Sequence, residues 1–195
     1  MHEVLNQNLF FIEEHVGLLK AANNYDVYNP RTQEMIIICR EENLSLKTKF
    51  TRFSLFKNNS GFDIIVRTQE GDKLLRVKRK GGVKTQQIPI EVLDENDQLV
   101  GKIQPKTTPK GNFEVLDAED TLQYTLNKTG DTEFTFAKGD QNLANISKKW
   151  AGASKELLTT ADNYLLQVMV TVPENDPLRL VIFASVLAID MVLYE

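Results

Sequence analysis

The C-terminal segment LRLVIFASVLAIDMVLYE is the feature of this sequence that most restricts its fold. Between Arg179 and Asp190 only Ser185 is polar, so a helix here has no amphipathic stripe. A helix that is apolar on every face either spans a membrane or is enclosed by protein. Spanning takes about 20 apolar residues, and only about half that number separate the two charges. We therefore predict a buried core helix at about 177–193, with a transmembrane helix as the alternative.

Short apolar runs separated by polar turns fill most of the chain before this segment. Residues 92–99 contain an acidic turn between two apolar runs, and the same pattern recurs at 115–122 and, with a Gly-Asp turn, at 136–143. Each copy predicts an antiparallel hairpin. Because a single hairpin cannot bury its own apolar face, the copies must stack or close into a sandwich or barrel. A sheet closed around the helix is one such packing, and it removes exposed strand edges.

The acidic groups in two of these turns are candidates for a metal site or a pair of glycosidase carboxylates. They are Asp94-Glu95-Asp97 and Asp117-Glu119-Asp120. Their equivalent places in a repeat favour turn formation instead, since aspartate side chains bond to nearby backbone groups. Carboxylates in surface turns also lack the burial that drives catalytic pKa values apart.

The composition narrows the class of protein. With 195 residues, 42% hydrophobic and 26% charged, the chain is expected to form a single globular domain, 1–195. One cysteine and two histidines exclude a disulfide framework, a zinc site with several cysteines and a His-rich metal centre. Cys39 follows an apolar run and is expected to be a buried hydrophobe. The sequence contains no nucleophile triad or phosphate loop, so we predict no enzyme and no cofactor.

The net charge of −4 argues against a nucleic-acid partner, but it conceals an uneven distribution. Residues 1–90 hold 14 Lys and Arg against 10 Asp and Glu, whereas residues 91–195 hold 9 against 17. Within 47–84 the numbers are 11 and 3, a local balance of +8. An asymmetry of this kind bears on association partners and not on the fold.

Four stretches, in the same order along the chain, resemble the phospholipid scramblase family. They are NNYDVYN at 23–29, ISKKWAG at 146–152, ADNY at 161–164 and AIDM at 188–191. That family is similar to the plant LURP-one-related proteins and to the tubby C-terminal domain. The resemblance implies a mainly β fold, a closed antiparallel barrel of about twelve strands around a C-terminal hydrophobic helix. It also implies a link to bidirectional phospholipid movement, and tubby domains bind phosphoinositides.

The chain departs from the scramblase pattern in two respects. The family carries a Pro-rich N-terminal extension and cysteines that can be palmitoylated, whereas Cys39 is alone here. Its calcium segment has acidic side chains at the first, third and last of twelve positions, which here are Thr160, Asp162 and Thr171. Because calcium takes six to eight oxygen ligands, a segment that keeps only Asp162 predicts no metal site.

The basic stretch that follows residue 72 is the candidate lipid-headgroup site. Its members are Lys73, Arg76, Lys78, Arg79, Lys80 and Lys84. On a strand, Arg76, Lys78 and Lys80 share one face, and Leu75 and Val77 take the other. Cations of this kind pair with phosphate oxygens, although a solvated hairpin protected from aggregation by its charges explains them too. The phosphoinositide site of tubby domains cannot be placed here, because no matching motif is present.

Asp190 and Trp150 are the other two candidate site residues, both expected near one end of the barrel. An ionisable side chain at the end of an apolar helix needs a partner or water. Asp190 either marks a polar opening or accepts a hydrogen bond from an arginine, a tryptophan or a backbone amide of the wall, and we expect the second. Trp150 is either a membrane-interface anchor or a core aromatic, and again we expect the second.

The resemblance to scramblases, together with the basic stretch, implies a peripheral protein that binds anionic phospholipid headgroups at a membrane surface, with a link to phospholipid scrambling. We expect a monomer on the cytoplasmic side, at the inner face of the plasma membrane, because the N-terminus has no secretory signal pattern. The alternative is a soluble protein-interaction or scaffold barrel that has lost its membrane action and binds a protein partner. A carrier of a small apolar ligand inside the barrel is a third possibility.

Overall fold

The computed structural model describes residues 1–15, 22–42, 61–82, 88–148 and 162–194. These residues form twelve antiparallel strands and one C-terminal α-helix, α1. The strands are β1 Leu9–Glu14, β2 Tyr25–Tyr28, β3 Met35–Arg40, β4 Phe62–Thr68, β5 Lys73–Arg79, β6 Ile90–Asp94, β7 Leu99–Pro105, β8 Phe113–Leu116, β9 Leu122–Lys128, β10 Glu133–Lys138, β11 Gln141–Lys148 and β12 Asn163–Val168. Helix α1 is Leu178–Ile189, and the π-helical turn Asp190–Tyr194 follows it. A 3-10 helix, Glu3–Asn6, precedes β1.

The strands close into a barrel. Each strand pairs with its neighbours in sequence, and β1 also pairs with β12, with Phe11 opposite Leu165. The predicted closed barrel of about twelve strands is therefore confirmed. Because every pairing is antiparallel, successive connections alternate between two ends. We call the end at which α1 begins the turn end, and the end at which α1 stops the Asp190 end.

Alternating burial explains why these residues form strands. In β4, Phe62, Ile64, Val66 and Thr68 are buried and the intervening side chains are partly exposed. Successive side chains of a strand point to opposite faces, so one face of each strand lines the barrel interior.

Helix α1 lies inside the barrel, as predicted. All residues from Arg179 to Ile189 are buried, and the Phe183 ring meets that of Phe10 on β1 edge-on at 5.7 Å. Gly101 on β7 faces α1: a Cβ there would be in ordinary contact with a Val181 methyl group at 3.5 Å, and closer, at 3.0 Å, to the Leu116 carbonyl oxygen on β8. The α-helix is shorter than the predicted segment, since the backbone turns π-helical at Asp190. No helix in the described part of the chain is long and apolar enough to cross a membrane.

Aspartates form the two repeated acidic turns. In each turn the first aspartate accepts backbone N–H groups two and four residues later, at 2.9 and 2.8 Å for Asp94 and at 3.0 and 2.8 Å for Asp117. The backbone N–H of Thr121 leads the contacts that hold the pKa of Asp117 below its usual range. Asp97 and Asp120 close the turns with φ values of 61° and 65°. The carboxylates thus serve the turn chemistry expected from their repetition.

Candidate functional site

The basic stretch lies on the outer wall of the barrel, on β5. Arg76 and Lys78 point outward while Leu75 and Val77 are buried, as predicted. A bulge opposite β4 places Leu74 in the core beside Leu75, and Lys73 therefore returns to the outer face.

Carboxylates from neighbouring strands and turns meet the three outward cations. The Lys73 ammonium lies 2.7 Å from Asp97, and the Lys78 ammonium 3.2 Å from Glu91. Arg76 donates to both carboxylate oxygens of Asp63, at 2.7 and 2.5 Å.

These contacts shift the pKa values of the paired groups. The hydrogen bond that Arg76 donates to Asp63 leads the effects that raise the pKa of Arg76, and the Lys73 ammonium lowers the pKa of Asp97. Each of the three cations is thus paired with a carboxylate, and its charge is largely balanced within the protein.

The remaining members of the basic stretch do not extend this face. Arg79 is only 8% exposed, and its guanidinium carbon lies 5.0 Å from the centroid of the Phe62 ring. Lys80 follows the end of β5 and is exposed, whereas Lys84 lies outside the described residues. The six predicted residues thus do not form one patch in the described part, and their role in headgroup binding stays a prediction.

Gly61 holds the end of β5 in place. A Cβ on this residue would lie 2.5 Å from the Gly81 nitrogen and 2.6 Å from the Arg79 carbonyl oxygen. Both contacts are with backbone atoms, so a side chain could be accommodated only by moving the segment that carries Lys80.

Gly61→Ala is expected to lower the free energy of unfolding by about 1–3 kcal/mol, because overpacking forces backbone shifts. Urea denaturation followed by circular dichroism would measure the change. Gly82→Ala is the matched control, since no atom lies within 4 Å of a Cβ there. We expect the control to be neutral or to stabilise the protein by less than about 1 kcal/mol. Equal stability of the two variants would contradict the tight approach at Gly61.

Asp190 is buried at the end of α1, where two tyrosines of the described part of the chain donate hydrogen bonds to it. The hydroxyls of Tyr25 on β2 and Tyr164 on β12 each donate to it at 2.6 Å. Two of its donors are thus tyrosines of the wall, which were not expected from the sequence. The expected arginine, tryptophan or backbone amide stays a prediction, since Trp150 lies outside the described residues. Burial, followed by the Asp190 carboxylate, raises the pKa of Tyr164 well above its ordinary value, so its hydroxyl stays protonated.

A small charged network surrounds this carboxylate. One oxygen each from Glu14, Asp162 and Asp190 lies within 4.8 Å of the others, a spacing that a cation could bridge. The Lys148 ammonium is already 2.6 Å from Asp162, and it lies 3.1 Å from the centroid of the Tyr194 ring. Because a buried lysine supplies positive charge here, we interpret the group as an internal ion network and assign no metal to it.

The segment that resembles the family's calcium segment runs through strand β12. Asp162 precedes this strand at the Asp190 end, and Thr171 follows it at the turn end. Six strand residues at about 3.3 Å each separate the two by roughly 20 Å, so they cannot bind one ion. Thr160 and Trp150 lie outside the described residues.

Arg179 closes the turn end of the barrel, a role that was not predicted from the sequence. It is 3% exposed and donates five hydrogen bonds of 2.8–3.1 Å. The acceptors are the carbonyls of Leu5, Gln7, Val172 and Pro173 and the side-chain oxygen of Asn8. The sequence signal for this role was a single arginine at the start of an apolar helix. The acceptors could not be predicted, because they come from both ends of the chain.

The stretches that carry the family resemblance meet at the Asp190 end. Tyr25, Lys148, Tyr164 and Asp190 each belong to a different one of the four stretches, and each lies in this buried network. The network could not be predicted, because these residues lie far apart along the chain. The signal for it was that each one belongs to a stretch that resembles the same family.

The barrel interior bears on the possibility of a ligand carrier. Side chains of α1 such as Ile182 and Phe183 fill the axis and are almost completely buried. A groove of about 360 Å³ lies instead at the surface, beside Met35, Ile36 and Glu70. These positions give the carrier alternative no support.

Comparison with known proteins identifies one family. The model of the family described as Scramblase matches residues 4–195. Neither the curated proteins nor the solved structures that were compared with the chain match it.

Proposed function

We propose that this chain, which belongs to the scramblase family, binds anionic phospholipid headgroups at a membrane surface as a peripheral, non-catalytic protein. The family match over almost the whole chain carries the proposal. We place the protein at the inner face of the plasma membrane and link its binding to phospholipid scrambling.

Lys80 supports the proposal among the described residues. It is exposed beyond the end of β5, and no carboxylate of the described part lies within 4.0 Å of it. A lysine near an anionic bilayer contributes about 1 kcal/mol to binding. Lys73, Arg76 and Lys78 are expected to contribute less, because their carboxylate partners repel the same lipids.

A flotation experiment with phospholipid vesicles tests the proposal. We expect recovery with phosphatidylserine-containing vesicles at about 0.01 M salt, where the Debye length is about 30 Å. Recovery should fall at about 0.15 M salt, where that length is about 8 Å. Phosphatidylcholine vesicles, the matched control, should recover little protein at either salt concentration. Equal recovery with both vesicle types, or with neither, would contradict headgroup binding.

The protein-interaction barrel is the second candidate. The observation that favours it is the pairing of Lys73, Arg76 and Lys78 with carboxylates, which leaves the outer wall of β5 nearly neutral. This candidate predicts no flotation with either vesicle and a stable stoichiometric partner after purification from native lysate. A protein that purifies consistently alone would count against it.

A further inference from the structure

The charges of the barrel are separated along its axis. The six connections at the turn end are 29–34, 69–72, 95–98, 117–121, 139–140 and 169–177. Together they contain eleven carboxylates and one cation, Arg31. Three of them are paired with cations outside the connections: Glu95 with the N-terminal ammonium, Asp97 with Lys73 and Asp120 with Lys102. The other eight have no cation within 4.0 Å in the described part of the chain, so an anionic membrane surface would repel this end.

Part of this acidic character is built into the turns themselves. Asp94 and Asp117 bind backbone N–H groups of the turns that they start, and Asp97 and Asp120 close them. Since backbone N–H groups hold the Asp94 and Asp117 carboxylates, these two groups cannot move away from an approaching surface without breaking the turns. The turn end is therefore a fixed negative surface.

The charges on the outer wall of strands β4 to β7, which includes part of the basic stretch, balance one another. Asp63, Lys78, Glu91 and Lys102 lie directly opposite one another on β4, β5, β6 and β7, alternating in sign. Lys102 is also 2.6 Å from Asp120. A wall of alternating charges neither attracts nor strongly repels an anionic surface.

One half of the Asp190 end is different. We call the described residues 80–82, 106–112 and 128–132 the basic rim; they belong to the consecutive connections β5–β6, β7–β8 and β9–β10. The rim carries four lysines and one carboxylate, Asp131. Lys106 is paired with Glu114 at 2.9 Å, whereas Lys80, Lys110 and Lys128 have no carboxylate within 4.0 Å in the described part of the chain.

Contacts around Gly111 and Asn112 fix the relative positions of three rim lysines, Lys106, Lys110 and Lys128. Asn112 accepts the Lys106 N–H at its carbonyl, at 2.8 Å, and the Lys128 N–H at its side-chain oxygen, at 2.9 Å. The Lys128 side chain also packs on Gly111, where a Cβ would lie 3.0 Å from its Cδ. Lys110 lies on the same connection, so these cations are presented together.

We infer that the barrel meets an anionic phospholipid surface end-on, through the basic rim, with the acidic turn end pointing away from the bilayer. This inference rests on the proposed function and adds the docking surface and the orientation. A rim of unpaired lysines gains Coulomb energy near anionic lipids. The carboxylates of the turn end then lie a barrel length from the bilayer. This distance exceeds the Debye length of about 8 Å at physiological salt, so their repulsion from the anionic lipids is largely screened.

Two double variants with the same change in net charge test the inference. Lys80→Glu with Lys110→Glu alters the rim, and Arg31→Glu with Lys138→Glu alters exposed cations at the turn end. Partitioning onto phosphatidylserine-containing vesicles would be titrated for both and for the unmodified chain. We expect the rim variant to bind about tenfold or more weakly and the turn-end variant to stay within about twofold. Thermal melting of both variants checks that they are folded.

The outcomes separate the two claims. If the unmodified chain binds and both variants weaken equally, the docking surface is wrong while headgroup binding stands. If the unmodified chain does not bind, the proposed function fails and the inference falls with it. A stronger loss in the turn-end variant would reverse the orientation.

An orientation readout gives an independent measurement. An environment-sensitive fluorophore is attached at Thr107→Cys in the rim or at Asp140→Cys in a turn, since Cys39 is fully buried and will not label. Vesicles should shift the emission to the blue only for the label at the rim position. An equal or larger shift for the turn label would overturn end-on docking.

Discussion

Replacing Arg179 by methionine is expected to lower the free energy of unfolding by about 3–5 kcal/mol. The guanidinium donates all five of its hydrogen bonds to four backbone carbonyls and the Asn8 side chain. Methionine fills similar space but leaves these buried acceptors unsatisfied, and each costs about 1–3 kcal/mol before relaxation. The substitution also detaches the 3-10 helix Glu3–Asn6 from α1, so the turn end of the barrel opens.

Urea denaturation followed by circular dichroism measures this loss. Arg31→Met is the matched control: Arg31 is exposed at the same end, and we expect its replacement to change stability by less than about 0.5 kcal/mol. Arg179→Lys should fall between the two, because an ammonium keeps the charge but cannot reach acceptors in several directions. If Arg179→Met cost less than about 1 kcal/mol, the arginine would not be what closes this end.

Asp190→Asn is expected to lower the free energy of unfolding by about 2–3 kcal/mol. Two tyrosine hydroxyls, from Tyr25 and Tyr164, donate to the carboxylate at 2.6 Å, and bonds to a charged group contribute about 1.5–3 kcal/mol each. The amide is neutral and has one oxygen acceptor. Removing the charge also relieves repulsion from Glu14 and Asp162, but the Lys148 ammonium already offsets part of that repulsion. The lost hydrogen bonds therefore dominate.

A double-mutant cycle with Tyr164→Phe separates these contributions. We expect Tyr164→Phe to destabilise the protein less in the Asp190→Asn background than in the unmodified chain, because the two groups share one bond. Asp140→Asn, at an exposed turn, is the control for loss of a carboxylate and should be nearly neutral. Strict additivity in the cycle would show that the hydroxyl and the carboxylate do not depend on each other.

Local patterns were enough to predict the main elements of the fold. The all-round apolar run predicted a buried helix, and three repeated turn patterns predicted the hairpins β6–β7, β8–β9 and β10–β11, all of which are present. The acidic turns were also predicted, because an aspartate bonds to backbone groups within four residues of itself. Interactions that close within one turn can be derived from neighbouring residues alone.

The partners of the charged residues could not be predicted in the same way. Arg76 meets Asp63 across a hairpin, and Lys73 on β5 meets Asp97 in the turn that follows the neighbouring strand β6. Such contacts depend on strand register, and the bulge at Leu74 changed that register by one residue. The tyrosine donors of Asp190 could not be predicted either, because they meet it only where α1 stops beside the starts of β2 and β12.

The sequence by itself determined which residues are apolar, where the turns fall and how unevenly charge is distributed along the chain. It described that charge as a basic first half and an acidic second half. Only the tertiary structure decided where the charge lies in space: an antiparallel barrel sends alternate connections to opposite ends. Acidic turns from both halves of the chain therefore gather at one end, while the unpaired lysines of the rim face the other. This separation depends on the order and closure of the strands, which no local pattern contains.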